Sequence, residues 1–243
     1  MKQFVAVDLE TTGLRPEQDH IIEIGALKYQ DGVCVEKFSE LVKPPVSISQ
    51  RIYEITGIND TTVAGARSIS EVLRSFCEFV GEEQALLGHN LRFDYSFLKA
   101  AAQREKIPFE KKGLDTLQLA RTLLLELPKK NLEAVSQHYG VNNPRAHRAF
   151  EDAMTTAQVY FKMLQQFGEQ KQELFVPKEM QVKIKKVEPA TQRQKNYLND
   201  LLKYHTIQDE IFLEERNLKW EDLTKSQASR LIDELISHYG RIR

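Results

Sequence analysis

Residues 4–13 read Phe4-Val5-Ala6-Val7-Asp8-Leu9-Glu10-Thr11-Thr12-Gly13. The apolar, β-branched run predicts a strand over Phe4 to Leu9, and Thr11-Thr12-Gly13 ends it. Asp8 and Glu10 stand two apart, so the period-2 geometry of a strand turns both carboxylates to one face. Two like charges side by side are costly on a sheet face that helices will cover. A divalent cation is the simplest compensation, because carboxylate oxygens are hard ligands suited to Mg²⁺ or Mn²⁺. The alternative is a solvated strand end with two incidental acids, and taken alone the stretch leaves the two readings level.

Outward from this stretch, alternation predicts two more strands, Ile21 to Tyr29 and Val33 to Val42, separated by the Asp31-Gly32 turn signal. From Ser70 the period becomes helical, with Val72, Leu73, Phe76 and Val80 on one face, and Ala85-Leu86-Leu87-Gly88 then reads as a buried strand. Helices follow over Leu91 to Ala102, Leu114 to Leu125, Asn131 to Tyr139 and Phe150 to Phe167, the last two stopped by Gly140 and Gly168. A strand meander followed by strand and helix alternation predicts an α/β sheet covered by helices.

The chain has 243 residues, more than the roughly 150-residue domain prior, so one catalytic-size domain with a small second module is expected. Apolar residues make up 41%, enough for a real core. Lys and Arg number 34 against 35 Asp and Glu, a net charge of -1, which excludes a strongly basic nucleic-acid coater and an acidic disordered chain. Two cysteines, Cys34 and Cys77, make neither a disulfide framework nor a zinc ribbon and fit a reducing compartment. No stretch approaches the ~18 apolar residues of a membrane span and no secretion signal is present, so a soluble cytoplasmic protein is expected, with no membrane partner.

Two further segments carry chemistry. In Gly88-His89-Asn90-Leu91-Arg92-Phe93-Asp94, the aspartate falls in the first turn of a helix that begins straight after a buried strand, and strand ends are where α/β sheets place their sites. An isolated Asp there also simply favours a helix N-terminus. In Arg145-Ala146-His147-Arg148-Ala149-Phe150-Glu151-Asp152, five helical residues would set His147 and Asp152 about 140° apart, so one of them must lie outside a regular helix to face a common point. His147 in the entering loop and Asp152 on the sheet-facing side satisfy this, making the aspartate a ligand candidate and the histidine a mobile base. A histidine near a helix start is more often structural. His20, His89, His138, His205 and His238 are read that way, with His89 hydrogen-bonded in its turn.

Asp8-Leu9-Glu10-Thr11-Thr12-Gly13, His89-Asn90-x-x-Phe93-Asp94 and His147-x-x-x-x-Asp152 together resemble the three motifs of the DnaQ-like 3′→5′ exonucleases, in the DEDDh subclass of four acids and a histidine. The resemblance covers about residues 2 to 167. It extends to Ile22-Glu23-Ile24-Gly25-Ala26, Ile55-Thr56-Gly57-Ile58 and Leu114-Asp115-Thr116-Leu117, similar to the family's second strand, the segment after its third strand, and its fifth strand. It implies a ribonuclease H-like five-stranded mixed sheet with helices on both faces.

The resemblance also implies a mechanism. Asp8, Glu10, Asp94 and Asp152 would hold two divalent cations, Mg²⁺ or Mn²⁺, and His147 would deprotonate the attacking water. Paired ions ~3.5 to 4 Å apart clamp both oxygens of an in-line displacement. The products would be nucleoside 5′-monophosphates cut from single-stranded DNA 3′ ends. Thr11, Thr12 and Leu14 would contact the terminal nucleotide. Phe93 would stack on a base or fill the core, and its four-residue spacing from Phe97 favours the core. The segments look like the proofreading epsilon subunit of bacterial DNA polymerase III and the exonuclease domain of Gram-positive replicative polymerases, which implies replication proofreading or repair. An exoribonuclease that trims RNA 3′ ends is the alternative, since sugar choice rests on contacts to the 2′-OH. A catalytically silent binding module would call for a lost ligand, and none is lost.

Beyond Gly168 the composition shifts, placing a charged linker at 168–190 and a small helical module at 191–243 after the exonuclease domain at 1–167. Thr191 with Gln194 and Thr224 with Gln227 read as capping boxes that open two helices. Gln170-Lys171-Gln172-Glu173-Leu174-Phe175 looks a little like sliding-clamp peptides of replication proteins, which would tie residues 170–175 to a clamp or polymerase. The competing reading packs Leu174 and Phe175 on the domain. Residues 178–203 hold seven Lys or Arg and three Asp or Glu, a local excess that would attract phosphate, so the module is offered as a contact for DNA or a protein partner.

Overall fold

The computed structural model describes residues 3–82, 84–143, 145–184, 188–214, 216, 218–221 and 223–242. The expected meander forms β1 (Gln3–Thr11), β2 (Ile21–Gln30) and β3 (Val33–Lys43), paired antiparallel in sequence. Asp31 and Gly32 both take positive φ, 47° and 83°. That is the two-residue hairpin geometry whose twist matches the flanking strands. Two short helices follow, α1 (Gln50–Thr56) and α2 (Asp60–Val63), capped by Ser49 and Asn59. Then come β4 (Arg67–Ser68), α3 (Ile69–Val80), β5 (Leu86–Gly88), α4 (Leu91–Arg104), β6 (Lys112–Asp115), α5 (Thr116–Leu123), α6 (Leu132–His138), α7 (Ala149–Phe167) and β7 (Lys178–Glu179).

The sheet order is β4-β3-β2-β1-β5-β6-β7, with β5 and β6 parallel to β1. Five strands thus form the mixed sheet, and a two-residue strand extends each edge. Each face carries its own core. Val5, Val7 and Leu9 pack with Ile24 and Ala26 against α3 and α4, whereas Phe4 and Ala6 pack with Leu27, Leu87 and Leu114 against α5, α6 and α7. The period of β1 therefore sends Phe4, Ala6, Asp8 and Glu10 to the α7 face.

Three expectations are corrected. Leu114 opens no helix. It pairs with Leu87 in a parallel ladder, and the helix begins only at Thr116, where Asp115 caps it by accepting from the Leu117 amide at 2.9 Å. Nor is the chain after Gly168 a free linker. A 3₁₀ turn over Gln172–Phe175 leads into β7, and Met180 and Val182 pack on the first core, so the first compact unit runs to Ile184. Residues 185–187 of the expected linker, including Lys185 and Lys186 of its basic run, lie outside the described residues. Finally, Phe175 is 5% exposed and packs against Tyr160 at 6.1 Å between ring centroids. A phenylalanine buried in its own domain is not available to a sliding clamp, which removes the basis for that reading of 170–175.

The second unit, residues 185–243, has its own core. Thr191/Gln194 and Thr224/Gln227 form complete capping boxes at the starts of α8 (Gln192–Tyr204) and α10 (Lys225–Tyr239). A helix absent from the sequence reading, α9 (Asp209–Glu214), closes the core with Phe212 and Leu213. No helix among the described residues is long and apolar enough to cross a membrane.

Candidate active site

The site lies at the C-terminal end of β1, in the region where parallel sheets place their ligands. Asp8 and Glu10 are half-buried on the α7 face of that strand. Asp94, 3% exposed, sits in the first turn of α4, and its Oδ1 accepts the Leu9 amide at 3.1 Å, fastening the helix start to the strand between the two acids. The preceding turn is held by His89, whose ring nitrogens lie 2.9 Å from Thr116 Oγ1 and from the Lys130 carbonyl. A carbonyl only accepts, so Nε2 carries a proton and His89 is the structural residue expected.

Asp152 is 9% exposed on the first turn of α7. Its Oδ1 accepts from Asn143 Nδ2 at 2.5 Å and its Oδ2 from the His147 amide at 3.0 Å. His147 lies outside the helix, as the angular argument required, with a left-handed φ of 65° and an exposed side chain. Glu10, His147 and Asp152 each bring one potential ligand atom to a point where all three lie within 4.8 Å of one another. Asp8 and Asp94 stand outside that triplet and join the site through charge.

The four carboxylates raise one another. Asp8 is held well above the carboxylate range, first by burial and then by Asp94, Asp152 and Glu10. Burial, followed by the charges of Asp152, Glu23 and Asp94, pushes Glu10 up to about 8. Asp94 is pushed up to about 8, chiefly by burial, against the opposing hydrogen bond from Leu9. Asp152 is raised by burial and partly relieved by Asn143 and His147. Buried carboxylates that raise one another in this way are a poor structural element but a fitting donor set for hard divalent cations, whose charge reverses the penalty.

Of the residues expected to contact substrate, Leu14 is exposed and Thr11 buried, with Thr12 and Phe93 between them. Thr11 Oγ1 donates to the Gly13 carbonyl at 2.6 Å, and Thr12 Oγ1 accepts from the His20 amide at 2.9 Å, so both hydroxyls brace the loop after β1. Leu14 is 78% exposed at the tip of that loop. Phe93 packs on Phe97, 5.0 Å between centroids, and is partly buried against the first core. Two participants escaped the sequence reading. Asn143, which grips Asp152, belongs to a short polar loop with no pattern. Glu23 stood in a quoted segment without a role, although a lone acid in the apolar run Ile22–Leu27 was a visible signal.

A mixed sheet with helices on both faces, and acids gathered at the end of its first strand, is the architecture of the ribonuclease H-like class. Residues 5–160 match the family model described as "Exonuclease". The chain belongs to that exonuclease family. It is 42% identical over 163 residues to the PolC-type DNA polymerase III of Thermotoga petrophila, covering 67% of this chain and 12% of that protein. It is 37% identical over 164 residues to the DNA polymerase III epsilon subunit of Aquifex aeolicus, covering 67% of this chain and 81% of that one. The chain thus spans about an eighth of the PolC-type relatives it matches. Among solved structures, Exonuclease X in complex with 5′ overhanging duplex DNA aligns with a TM-score of 0.55 and 27% identity, over 68% of this chain and 93% of that one.

Proposed function

We propose that this chain is a 3′→5′ exonuclease that removes nucleoside 5′-monophosphates from single-stranded DNA 3′ ends, using two divalent cations, in proofreading or repair in the cytoplasm. The observation that carries the reading is the cluster of Asp8, Glu10, Asp94 and Asp152 beside an exposed His147 on an extrahelical backbone. Its homology to polymerase III components supports DNA as the substrate.

The four acids would hold Mg²⁺ or Mn²⁺, which when bound neutralise phosphate charge and lower the pKa of water. His147, whose side chain is exposed, takes the proton of the attacking water on an imidazole nitrogen as the new P–O bond forms and the P–O3′ bond breaks, and the leaving 3′ oxygen takes a proton from solvent. Asp152 steadies that loop by accepting the His147 amide. Leu14 packs on the terminal base and the Thr11–Thr12 backbone meets its sugar or phosphate, while Phe93 lines the core behind them.

A panel of single-stranded DNA and RNA of equal sequence, labelled at either end, tests the proposal. DNA is expected to shorten from the 3′ end with Mg²⁺ or Mn²⁺, and Asp8→Ala with Glu10→Ala should abolish this. Preferential loss of RNA would make the enzyme an exoribonuclease, and undiminished digestion by the double variant would remove the site from the chemistry.

A further inference from the structure

Glu23 is a fifth carboxylate beside these four, only 1% exposed. Both of its oxygens are occupied, and one partner is a guanidinium. Arg148 Nε donates to Oε1 and Oε2 at 3.2 and 3.1 Å, Arg148 Nη2 to Oε1 at 2.6 Å, and the Ala149 amide to Oε2 at 3.0 Å. Arg148 follows His147 directly and is the N-cap of α7, so Glu23 grips the chain between the histidine and the first helical residue. Two residues along β2, a Cβ on Gly25 would lie 2.1 Å from the Phe150 amide nitrogen and 2.2 Å from the Ala149 carbonyl carbon. The helix start therefore rests on bare backbone at Gly25 and is tied down at Glu23. In the β1–β2 ladder Gly25 is the partner of Asp8, and Glu23 is the partner of Glu10. The level of α7 is set by the direct neighbours of the two β1 acids, on the same face of the sheet.

We infer that Glu23 and Arg148 are positioning residues of the exonuclease centre: the Glu23 carboxylate, closed on the Arg148 guanidinium and the Ala149 amide, holds His147 level with Asp8 and Glu10 and is not a cation ligand. This rests on the exonuclease reading. A planar fork grips both oxygens of a carboxylate where an ammonium meets them as a point charge, so Arg148→Lys loosens the clamp without removing its charge. Glu23→Gln keeps an acceptor for Ala149 and loses the charge.

The test uses the full chain carrying Arg148→Lys and, separately, Glu23→Gln. Each variant should lower kcat by roughly ten- to a hundredfold with KM within about twofold, the scale expected when a reacting group is displaced by about 1 Å. In a His147→Ala background Arg148→Lys should cost less than about threefold, because residues acting as a unit are not additive. In cation-free protein without substrate, amide exchange at His147 should quicken about tenfold while β1 amides keep their rates, the signature of a local opening. Wild-type kcat and wild-type His147 protection in both variants would overturn the inference. So would a full loss that persists in the His147→Ala background, which would make the pair a support of the fold alone. A wild-type chain inactive on every strand would instead defeat the exonuclease reading, and the exchange measurement would still judge the clamp.

Discussion

One face of β1 holds two opposite kinds of surface. Phe4 and Ala6 are fully buried, and the Phe4 ring stacks on Tyr29 at 5.1 Å and meets Tyr160 edge-on at 5.2 Å. Asp8 and Glu10, the next two residues on that face, sit under the start of the same helix with their carboxyls raised by burial and by their neighbours. The first half stabilises the domain, since a buried aromatic side chain contributes about 1.5 to 3 kcal/mol. The second half costs stability, and it stays in place because Glu23, Arg148 and Leu9 anchor the elements that carry its partners. Structure and chemistry are thus separated along a single strand by steps of about 7 Å, the span of two strand residues.

The largest effect that sharpens this contrast is on turnover. His147→Ala should lower kcat by roughly 10²- to 10⁴-fold, the usual share of a general base. Steady-state rates on single-stranded DNA check this, and wild-type turnover in the variant would assign the base elsewhere.

A smaller effect is on stability. Glu10 and Asp94 are pushed up to about 8 in the cation-free fold, whereas in an unfolded chain such groups titrate near about 4. The folded chain then binds more protons between those values, so the stability these groups allow is full below about pH 4 and is lost as pH climbs to about 8. The unfolding midpoint of cation-free protein should fall from pH 5 to pH 8. Mg²⁺ at about a hundred times its Kd should restore some 2.7 kcal/mol per site at pH 8. A midpoint flat with pH and indifferent to Mg²⁺ would erase the difference between the two halves of the strand.

Much of this arrangement was legible in the residues because it is local. Alternation over Phe4–Glu10 placed both acids on one face, and the angle between His147 and Asp152 put the histidine outside α7, where its φ of 65° now places it. What escaped depends on partners distant in the chain. Glu23 acquires its role from Arg148, 125 residues away, and no periodicity encodes that meeting. Leu114 carries an amphipathic helical pattern and becomes strand because Leu87 offers a parallel partner. Leu174 and Phe175 form a short apolar pair in a polar stretch, and only packing against Tyr160 decides that Phe175 belongs to the core. The helices α1, α2 and α9, at 7, 4 and 6 residues, are too short for a period to register.

The most direct measurement pairs two variants at pH 8 without cation, each also assayed for digestion of single-stranded DNA with Mg²⁺. Asp8→Asn with Glu10→Gln, which removes charge at nearly constant shape, should unfold at a higher temperature than wild type and digest nothing. Phe4→Ala, two steps back on the same face, should lose about 3 to 5 kcal/mol of stability and, while folded, still digest. A double variant that is less stable than wild type, or that still digests DNA, would contradict the claim that this end of β1 exchanges stability for catalysis.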